Sequence, residues 1–522
     1  MRTELYADPA GVFVHDAILQ SCRRFGEKIA MVDTSCAPAK RISYAQYGET
    51  VESLARGLVA AGVLPGDRVA LFLPNSWEFA ATYHAATLAG AVPTPLNPSY
   101  REREVRYQLE NSGARILVTD GTLIAGMNLG GLPELQRVYI TRNSAPGTRD
   151  FSELLRKTVA ALPSPDRAST EMLAALPYSS GTTGLPKGVM LTHHNLVVNV
   201  YQLVGPDCAP FTSDVTGLCF LPLYHIYGLN VVLNPILMLG ATLVLMPRFD
   251  PQAALRLVSE EQVTFVPLVP PVLNVFCQAA EQGQFPRQHR VKWIKSGAAP
   301  LAPELAKRFT SLTGIPVAQG YGMTEASPVT HVGFEEGSLY KPESIGMPVA
   351  KTDCRLIGEN CEEAASGEIG ELLMRGPQFM RGYWNAPEAT ADVLSGGWYH
   401  SGDVARTDEQ GLYYIVDRRK EMIKYKGFPV APAEVESVLL EHPSVRDCGV
   451  IGKRDEAAGE IPCAFVVLRE GIPETDKTRT EICGYVGERL TGYKQPREMR
   501  FVNAIPRNPS GKVLRRELRK LI

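Results

Sequence analysis

Apolar positions along this chain fall into two kinds of short run, and the two kinds alternate. Residues 67–74, DRVALFLP, make a continuous apolar run of strand length. Residues 76–90, SWEFAATYHAATLAG, repeat apolar side chains at helical spacing and stop at a glycine. AVPTPL (91–96) predicts a strand, EREVRYQLENSG (102–113) a helix with a glycine stop, and ARILVTD (114–120) a strand. That β-α-β-α-β succession predicts a parallel sheet. A second succession begins near residue 216, with strands in GLCFLPL, ATLVLMP, VTFVPLVPP, RVKWIKSG and IPVAQGYG. Helices are predicted between them at 228–240, 251–262, 272–280 and 303–314.

From about residue 345 the pattern changes to short strand candidates split by Gly and Asn turns, from GEIGELLMRG to GLYYIVD, as in a small antiparallel or barrel-like unit. From about residue 420 it becomes mixed, with a helix in APAEVESVLLEHP, strands in CGVIGK and CAFVVL, and a basic tail, VLRRELRK, read as a terminal helix with a solvated basic face. The expected fold class is therefore α/β. A large N-terminal domain spans 1–419: a first α/β layer at 1–175, a second at 176–340 and a β-rich subdomain at 341–419. A small, mobile α+β domain follows at 420–522. The window most like a membrane span, 229–246, is interrupted by Asn230, Asn234, Pro235 and Gly240 and reads better as a buried helix and strand.

With 522 residues, the chain is long enough for about three domain-sized units. Hydrophobic residues at 45% and charged residues at 21% are ordinary for a globular protein. The net charge of -2 gives no electrostatic case for nucleic acid. The 10 cysteines are scattered, with no C-x-x-C pair and no histidine cluster, so they read as small core residues in a reducing compartment rather than a zinc site. The first residues lack a signal-peptide core and the last are RKLI, so a cytoplasmic location is expected.

Chemistry concentrates in YSSGTTGLPKGVMLTHHN (178–195). Gly181, Gly184 and Gly188 let backbone come close to a ligand. Ser179, Ser180, Thr182 and Thr183 add hydroxyls and Lys187 a charge, a combination suited to polyphosphate. It is not a Walker A loop, because Pro186 and Gly188 flank the lysine. Four further loops, PLYHIYG, PLVPP, SGAAP and QGYGMTEAS, fall where strands of the second layer end, the rim at which open α/β sheets bind ligands. In the last of them Gln319, Gly320 and Gly322 surround Tyr321, whose ring could stack on a base, and Thr324 and Glu325 offer a hydroxyl and a hard oxygen for Mg²⁺. His225 is in an apolar setting where a core histidine is the ordinary reading, but on the ligand rim. Asp403, after a Ser-Gly turn, could take both ribose hydroxyls. Lys512 follows a Pro/Asn/Ser turn on what reads as a mobile, exposed loop.

Together YSSGTTGLPKGV, QGYGMTE, YHSGD, DRRKEMIKYKG and NPSGK resemble the motifs of the adenylate-forming superfamily, which comprises acyl- and aryl-CoA synthetases, peptide adenylation domains and beetle luciferases. LPLYHIYGLN, VPLVPPVL and KSGAAPL are most similar to the 4-coumarate–CoA ligase branch and its fatty-acyl relatives. The resemblance implies a two-step ligase: a carboxylate attacks Mg·ATP to give acyl-AMP, and coenzyme A then takes the acyl group. It assigns the phosphate loop to Ser179, Thr182, Thr183 and Lys187, adenine to Tyr321, the α-phosphate to Thr324, magnesium to Glu325, and ribose to Asp403 and Arg418. Lys420 matches a hinge, Lys424 and Gly427 the thioester-forming loop, Lys512 the adenylating lysine, and His225 the gate between acyl and nucleotide sites. The acyl pocket would include Tyr227, Val231, Ser296, Gly297, Ala298, Ala299, Gly320, Pro328 and Val329. A homodimer and a lysine acetyltransferase acting on Lys512 are further implied partners. The alternative is an adenylation module serving a carrier protein, but PLYHIYG holds no anion for a substrate ammonium, whose burial unpaired would cost several kcal/mol.

Overall fold

In this computed structural model, residues 9, 11–162, 169–179, 185–205, 211–358, 360–426, 428–455, 458–507 and 511–522 are described. The first β-α run builds a parallel sheet in the order Val92–Pro95, Arg68–Phe72, Ala114–Thr119, Arg137–Ile140 and Arg149–Asp150. Helix Trp77–Leu88 starts at Ser76, whose hydroxyl accepts the Phe79 N–H, and is buried almost all round. Helix Glu102–Ser112 is amphipathic and stops where Gly113 turns left-handed at φ 62.

The second run builds the larger sheet. Strands Val317–Gly322, Trp293–Ser296, Phe265–Leu268, Thr216–Cys219 and Thr242–Leu245 are neighbours in that order, all parallel. Here chain order misleads. Strands Ile29–Asp33 and Lys40–Ser43, placed by sequence in the first layer, complete the second sheet, with Ile29–Asp33 parallel to Thr242–Leu245. The run IAMVD is almost wholly buried and is paired there on both sides, by Thr242–Leu245 and by Lys40–Ser43. Helix Tyr44–Ala60 then carries the chain back to the first layer, capped at Ser43 by a reciprocal Ser–Gln box. At the opposite edge Val329–Val332 folds back antiparallel on Val317–Gly322.

Residues 229–246 form a buried helical segment and then strand Thr242–Leu245, and among the described residues no helix is long and apolar enough to cross a membrane. Strands Asp353–Ile357, Gly370–Arg375, Trp398–Thr407 and Tyr413–Arg418 make the antiparallel unit expected from the change of pattern.

The terminal domain has its own sheet, built on the Val445–Asp455 and Gly459–Leu468 hairpin, and its own apolar clusters around Val435, Leu439 and Val450 and around Phe465 and Leu518. Two expectations hold only in part. The basic tail is a short helix, Arg515–Leu518, with Arg516, Arg519 and Lys520 exposed as expected, but its first arginine is turned inward: Arg515 pairs with part-buried Glu436 through two 2.9 Å contacts and also bonds the Val450 carbonyl. The cysteines do not all serve the core, since Cys36 and Cys361 are exposed while Cys22, Cys219, Cys277, Cys448 and Cys463 are buried.

Candidate active site

One cavity of about 1520 Å³ opens at the C-terminal rim of the larger sheet. Its wall brings together Ser179, Lys187, His225, Tyr227, Val231, Gly297, Ala298, Gly320, Tyr321, Gly322, Thr324, Glu325, Pro328, Val329, Arg418, Lys420, Lys424 and Lys512. Ser180, Gly181, Thr182, Thr183, Gly184 and Gly427 lie outside the described residues. Ser296, Ala299, Gln319 and Asp403 are not on the wall. Ser296 is 1% exposed inside its strand, and the Gln319 amide donates to the Pro342 carbonyl at 2.7 Å, holding the strand end rather than a ligand.

The loop after strand Val317–Gly322 turns so tightly that a Cβ at Gly322 would lie 2.0 Å from the Pro328 carbonyl oxygen. Only glycine fits, and that close approach aims Thr324 and Glu325 at the cavity. Two donors, the Ser179 hydroxyl at 3.1 Å and the Tyr383 phenol at 2.8 Å, fall on the same oxygen of Glu325, Oε1. Among the described residues this leaves Oε2 as a ligand for a divalent cation, a donor set that suits Mg²⁺ held mainly by substrate phosphates. Lys187 stands over the Tyr383 ring with its ammonium 5.3 Å from the centroid.

Asp403 is 4% exposed and held at both oxygens, by Arg418 Nε at 2.8 Å and by the Tyr321 phenol at 2.5 Å. Burial first, and then this carboxylate, push the Tyr321 phenol far up. Tyr321 therefore stays a neutral donor, and its ring is fixed at the cavity wall by the bond at its far end.

His225 Nδ1 accepts the Tyr227 N–H at 3.2 Å, so the neutral ring carries its proton on Nε2. Burial pushes its pKa down to about 4, so it is a neutral donor at pH 7. The Tyr227 phenol bonds the Lys295 carbonyl at 3.0 Å and lies against Gly297, where a Cβ would be 3.2 Å from its ring. Gly320 is different: the nearest atom to a Cβ there, the His331 carbonyl oxygen, is 3.8 Å away, so the wall has room.

Lys512 is not on an exposed loop. An Arg507–Val513 bridge closes its loop, Arg507 Nη1 bonds the Gly511 carbonyl at 2.7 Å, and Arg507 also pairs with Asp447. Gly511, at φ 83, sits so near the large domain that a Cβ would lie 3.1 Å from the Pro271 ring. This seats Lys512 in the cavity, where burial, and after it the Arg418 charge, push its pKa down to about 8. Lys424 touches the cavity but is exposed, its strand Ile423–Tyr425 lying just past the turn that holds Lys420.

The wall also holds residues that sequence reading missed: Tyr383, Tyr399, and Lys295, which pairs with Glu335. Tyr383 lies 58 positions from the carboxylate it holds, and nothing local marks it.

The model of the AMP-binding enzyme family matches residues 18–384, and that of the AMP-binding enzyme C-terminal domain matches 434–512. The chain belongs to the AMP-binding enzyme family. A 4-coumarate-CoA ligase of Narcissus pseudonarcissus is 37% identical to this AMP-binding enzyme, the match covering 97% of this chain and 93% of that one. One from Pinus taeda is 38% identical over 97% of this chain and 94% of its own. Among solved structures, an anthranilate CoA ligase in complex with anthranoyl-AMP matches with a TM-score of 0.89 at 25% identity, over 98% of both chains. A benzoate CoA ligase from Burkholderia xenovorans matches with a TM-score of 0.86 at 26% identity, over 97% of this chain and 99% of that one. As an AMP-binding enzyme the chain is an ATP-binding, adenylate-forming ligase of the acid–thiol class.

Proposed function

We propose that this AMP-forming carboxylate–CoA ligase acts on a neutral aromatic acid of the hydroxycinnamate type, with Lys512 serving adenylation and Lys424 serving thioester formation. The observation that carries the reading is that one cavity is walled both by apolar residues, among them Phe211, Phe265, Val231, Val329 and Val332, and by Lys187, Glu325, Arg418 and Lys512. A flat apolar tail fits the first set and a nucleotide triphosphate the second. The relatives named 4-coumarate-CoA ligase favour an aromatic acid over an aliphatic one.

In the first step the substrate carboxylate attacks the α-phosphorus of ATP and pyrophosphate leaves. The chain's part is positioning and charge neutralisation. Lys512 meets the developing negative charge, Thr324 holds the α-phosphate, and His225 donates Nε2–H toward the acyl oxygen. Tyr321 packs against adenine, while Asp403 and Arg418 orient the ribose. Magnesium, when bound at Glu325, neutralises phosphate charge. In the second step the thiol of coenzyme A attacks the acyl carbonyl and AMP leaves. Lys424, exposed here, turns inward by rotation of the terminal domain at Lys420. The same rotation would expose Lys512 to an acetyltransferase. The test is a screen of some twenty carboxylates, read first as pyrophosphate release and then as thioester after coenzyme A is added. The proposal fails if hydroxycinnamates and benzoates are rejected while fatty acids are turned over.

A further inference from the structure

Asn230 and Asn234 are both fully buried and stand four residues apart, where the π-helical turn Gly228–Leu233 runs into helix Asn234–Met238. Buried amides are costly unless their donors and acceptors are used. Here they belong to one continuous chain of hydrogen bonds. The Tyr47 hydroxyl is 2.7 Å from His84 Nδ1, and His84 Nε2 is 2.9 Å from Asn234 Oδ1. Asn234 Nδ2 donates to Asn230 Oδ1 at 2.7 Å. Asn230 Nδ2 donates to two carbonyls, Ser327 at 2.6 Å and Leu196 at 3.1 Å.

The last bonds fix the direction of the whole chain. A backbone carbonyl can only accept, so Asn230 presents its nitrogen to Ser327 and its oxygen to Asn234. Asn234 must then offer its oxygen to His84, which places the imidazole proton on Nε2. The Tyr47 hydroxyl consequently donates to Nδ1. Burial pushes His84 down to about 4, so the ring is neutral and the pattern holds across the working pH range.

Ser327 is where the chain ends, and it is a constrained residue. It is fully buried at φ 68, immediately after the turn Thr324–Ala326 and before Pro328 and Val329 of the cavity wall. A second asparagine grips the next stretch: Asn199 Nδ2 donates to the Val329 carbonyl at 2.8 Å, and the Val329 N–H returns to Asn199 Oδ1 at 3.0 Å. The loop that carries Thr324 and Glu325 is thus anchored from behind by side chains of other elements.

We propose that Asn230, supported through Asn234 by His84 and Tyr47, is a positioning residue that sets the Thr324–Glu325 loop for adenylation. Tyr47 and His84 lie on helices Tyr44–Ala60 and Trp77–Leu88, neither of which touches the cavity. The proposal rests on the reading of that loop as the junction of nucleotide and acyl group. Misplacing reacting groups by about 1 Å can cost about 10²-fold in rate without any change in the groups themselves.

The test compares Asn230→Ala, His84→Leu and His84→Gln, with pyrophosphate release measured per folded molecule. Asn230→Ala and His84→Leu should each lower kcat by about tenfold or more, with KM for ATP within about threefold of the parent. His84→Gln keeps a donor where Nε2 stood and should retain most of kcat. The double variant should lose much less than the product of the single losses, because both act through one chain. A purely structural role would lower the melting temperature of all three and leave kcat per folded molecule unchanged, which would overturn the proposal. So would equal kcat losses for His84→Gln and His84→Leu. If Asn230→Ala does not fold, the two His84 variants decide alone. A crystal structure of His84→Leu supplies a readout free of substrate: a displaced Ser327 carbonyl supports the proposal, and an unmoved loop sinks it. Failure of the parent enzyme to turn over any carboxylate would count against the ligase reading and leave this structural arm to decide.

Discussion

Asp403 and Arg418 face each other across adjacent antiparallel strands, and the guanidinium Nε lies 2.8 Å from the carboxylate. The sheet register itself sets this pair, with Arg418 on the cavity wall and Asp403 buried behind it. Among the described residues, Arg418→Ala would leave the buried carboxylate with only the Tyr321 phenol as a hydrogen-bond donor to its oxygens. We expect weaker nucleotide binding by about 1.5–3 kcal/mol, the usual cost of losing a polar contact to a charged group, measured as KM for ATP and by calorimetric titration with AMP. Arg418→Lys should not restore it, because a lysine ammonium is a compact point charge that does not place a donor where the planar guanidinium holds Nε.

The two lysines of the terminal domain should divide the reaction. Lys512→Ala is expected to lower acyl-AMP formation by about 10²–10³ while still converting supplied acyl-AMP to thioester. Lys424→Ala should do the reverse. Separate assays of the half-reactions check this, and equal losses in both would mean that the domain does not alternate.

Lys512 also sets a pH dependence whose sign can be worked out. Its pKa in the folded protein is about 8, below the ordinary 10.5. The charged form is therefore lost as pH rises through about 8, and if Lys512 serves adenylation as proposed, kcat/KM for ATP should fall there. Lys512→Arg should move that fall to higher pH. Stability should move oppositely. Between the folded and unfolded values the unfolded chain binds more protons, so this group makes the fold more stable as pH rises from about 8 to 10.5. Activity profiles and melting temperatures over that window measure both.

Gly320 and Gly322 stand two residues apart on one strand and should respond in opposite ways. Gly320→Leu has space at Cβ and should fold, fill the acyl side of the cavity and disfavour longer or bulkier acids by about 1–3 kcal/mol. Gly322→Ala would drive a methyl into the Pro328 carbonyl and should unfold the loop. Relative kcat/KM across a series of acids, with melting temperatures, distinguishes the two.

Arg515→Ala leaves the part-buried Glu436 carboxylate without its cationic partner and with the Val450 N–H as its remaining donor among the described residues, a change at the lower end of the about 3–5 kcal/mol that breaking a buried pair costs. The terminal domain should melt first in that variant, seen as an early transition by calorimetry.

Much of this was legible in the sequence, for reasons that can be named. Helix Trp77–Leu88 and strand Ala114–Thr119 are marked by helical apolar spacing, glycine stops and an apolar run, signals that act over a few residues. The rim loops were legible because glycine and proline punctuate strand ends. Sheet membership of Ile29–Asp33 was not, because pairing with Thr242–Leu245 joins residues more than 200 positions apart. Tyr383 escaped notice for the same reason. The inward turn of Arg515 is not legible, because a charge run looks the same whether or not an acid such as Glu436 waits beneath it. Lys512 was misplaced because its loop is seated by Pro271 and Arg507, which no local pattern connects to it.

The crossing of strands Ile29–Asp33 and Lys40–Ser43 into the larger sheet has a consequence for recombination among related genes. A junction near residue 175 would separate the larger sheet from two of its own strands, so fragments exchanged there would have to complement one another to fold. The hairpin and apolar clusters beyond residue 420 draw almost entirely on that segment's own residues. Modular exchange should therefore succeed near residue 420 and fail at the first layer boundary, so that the start of the terminal domain is the natural seam for shuffling this enzyme.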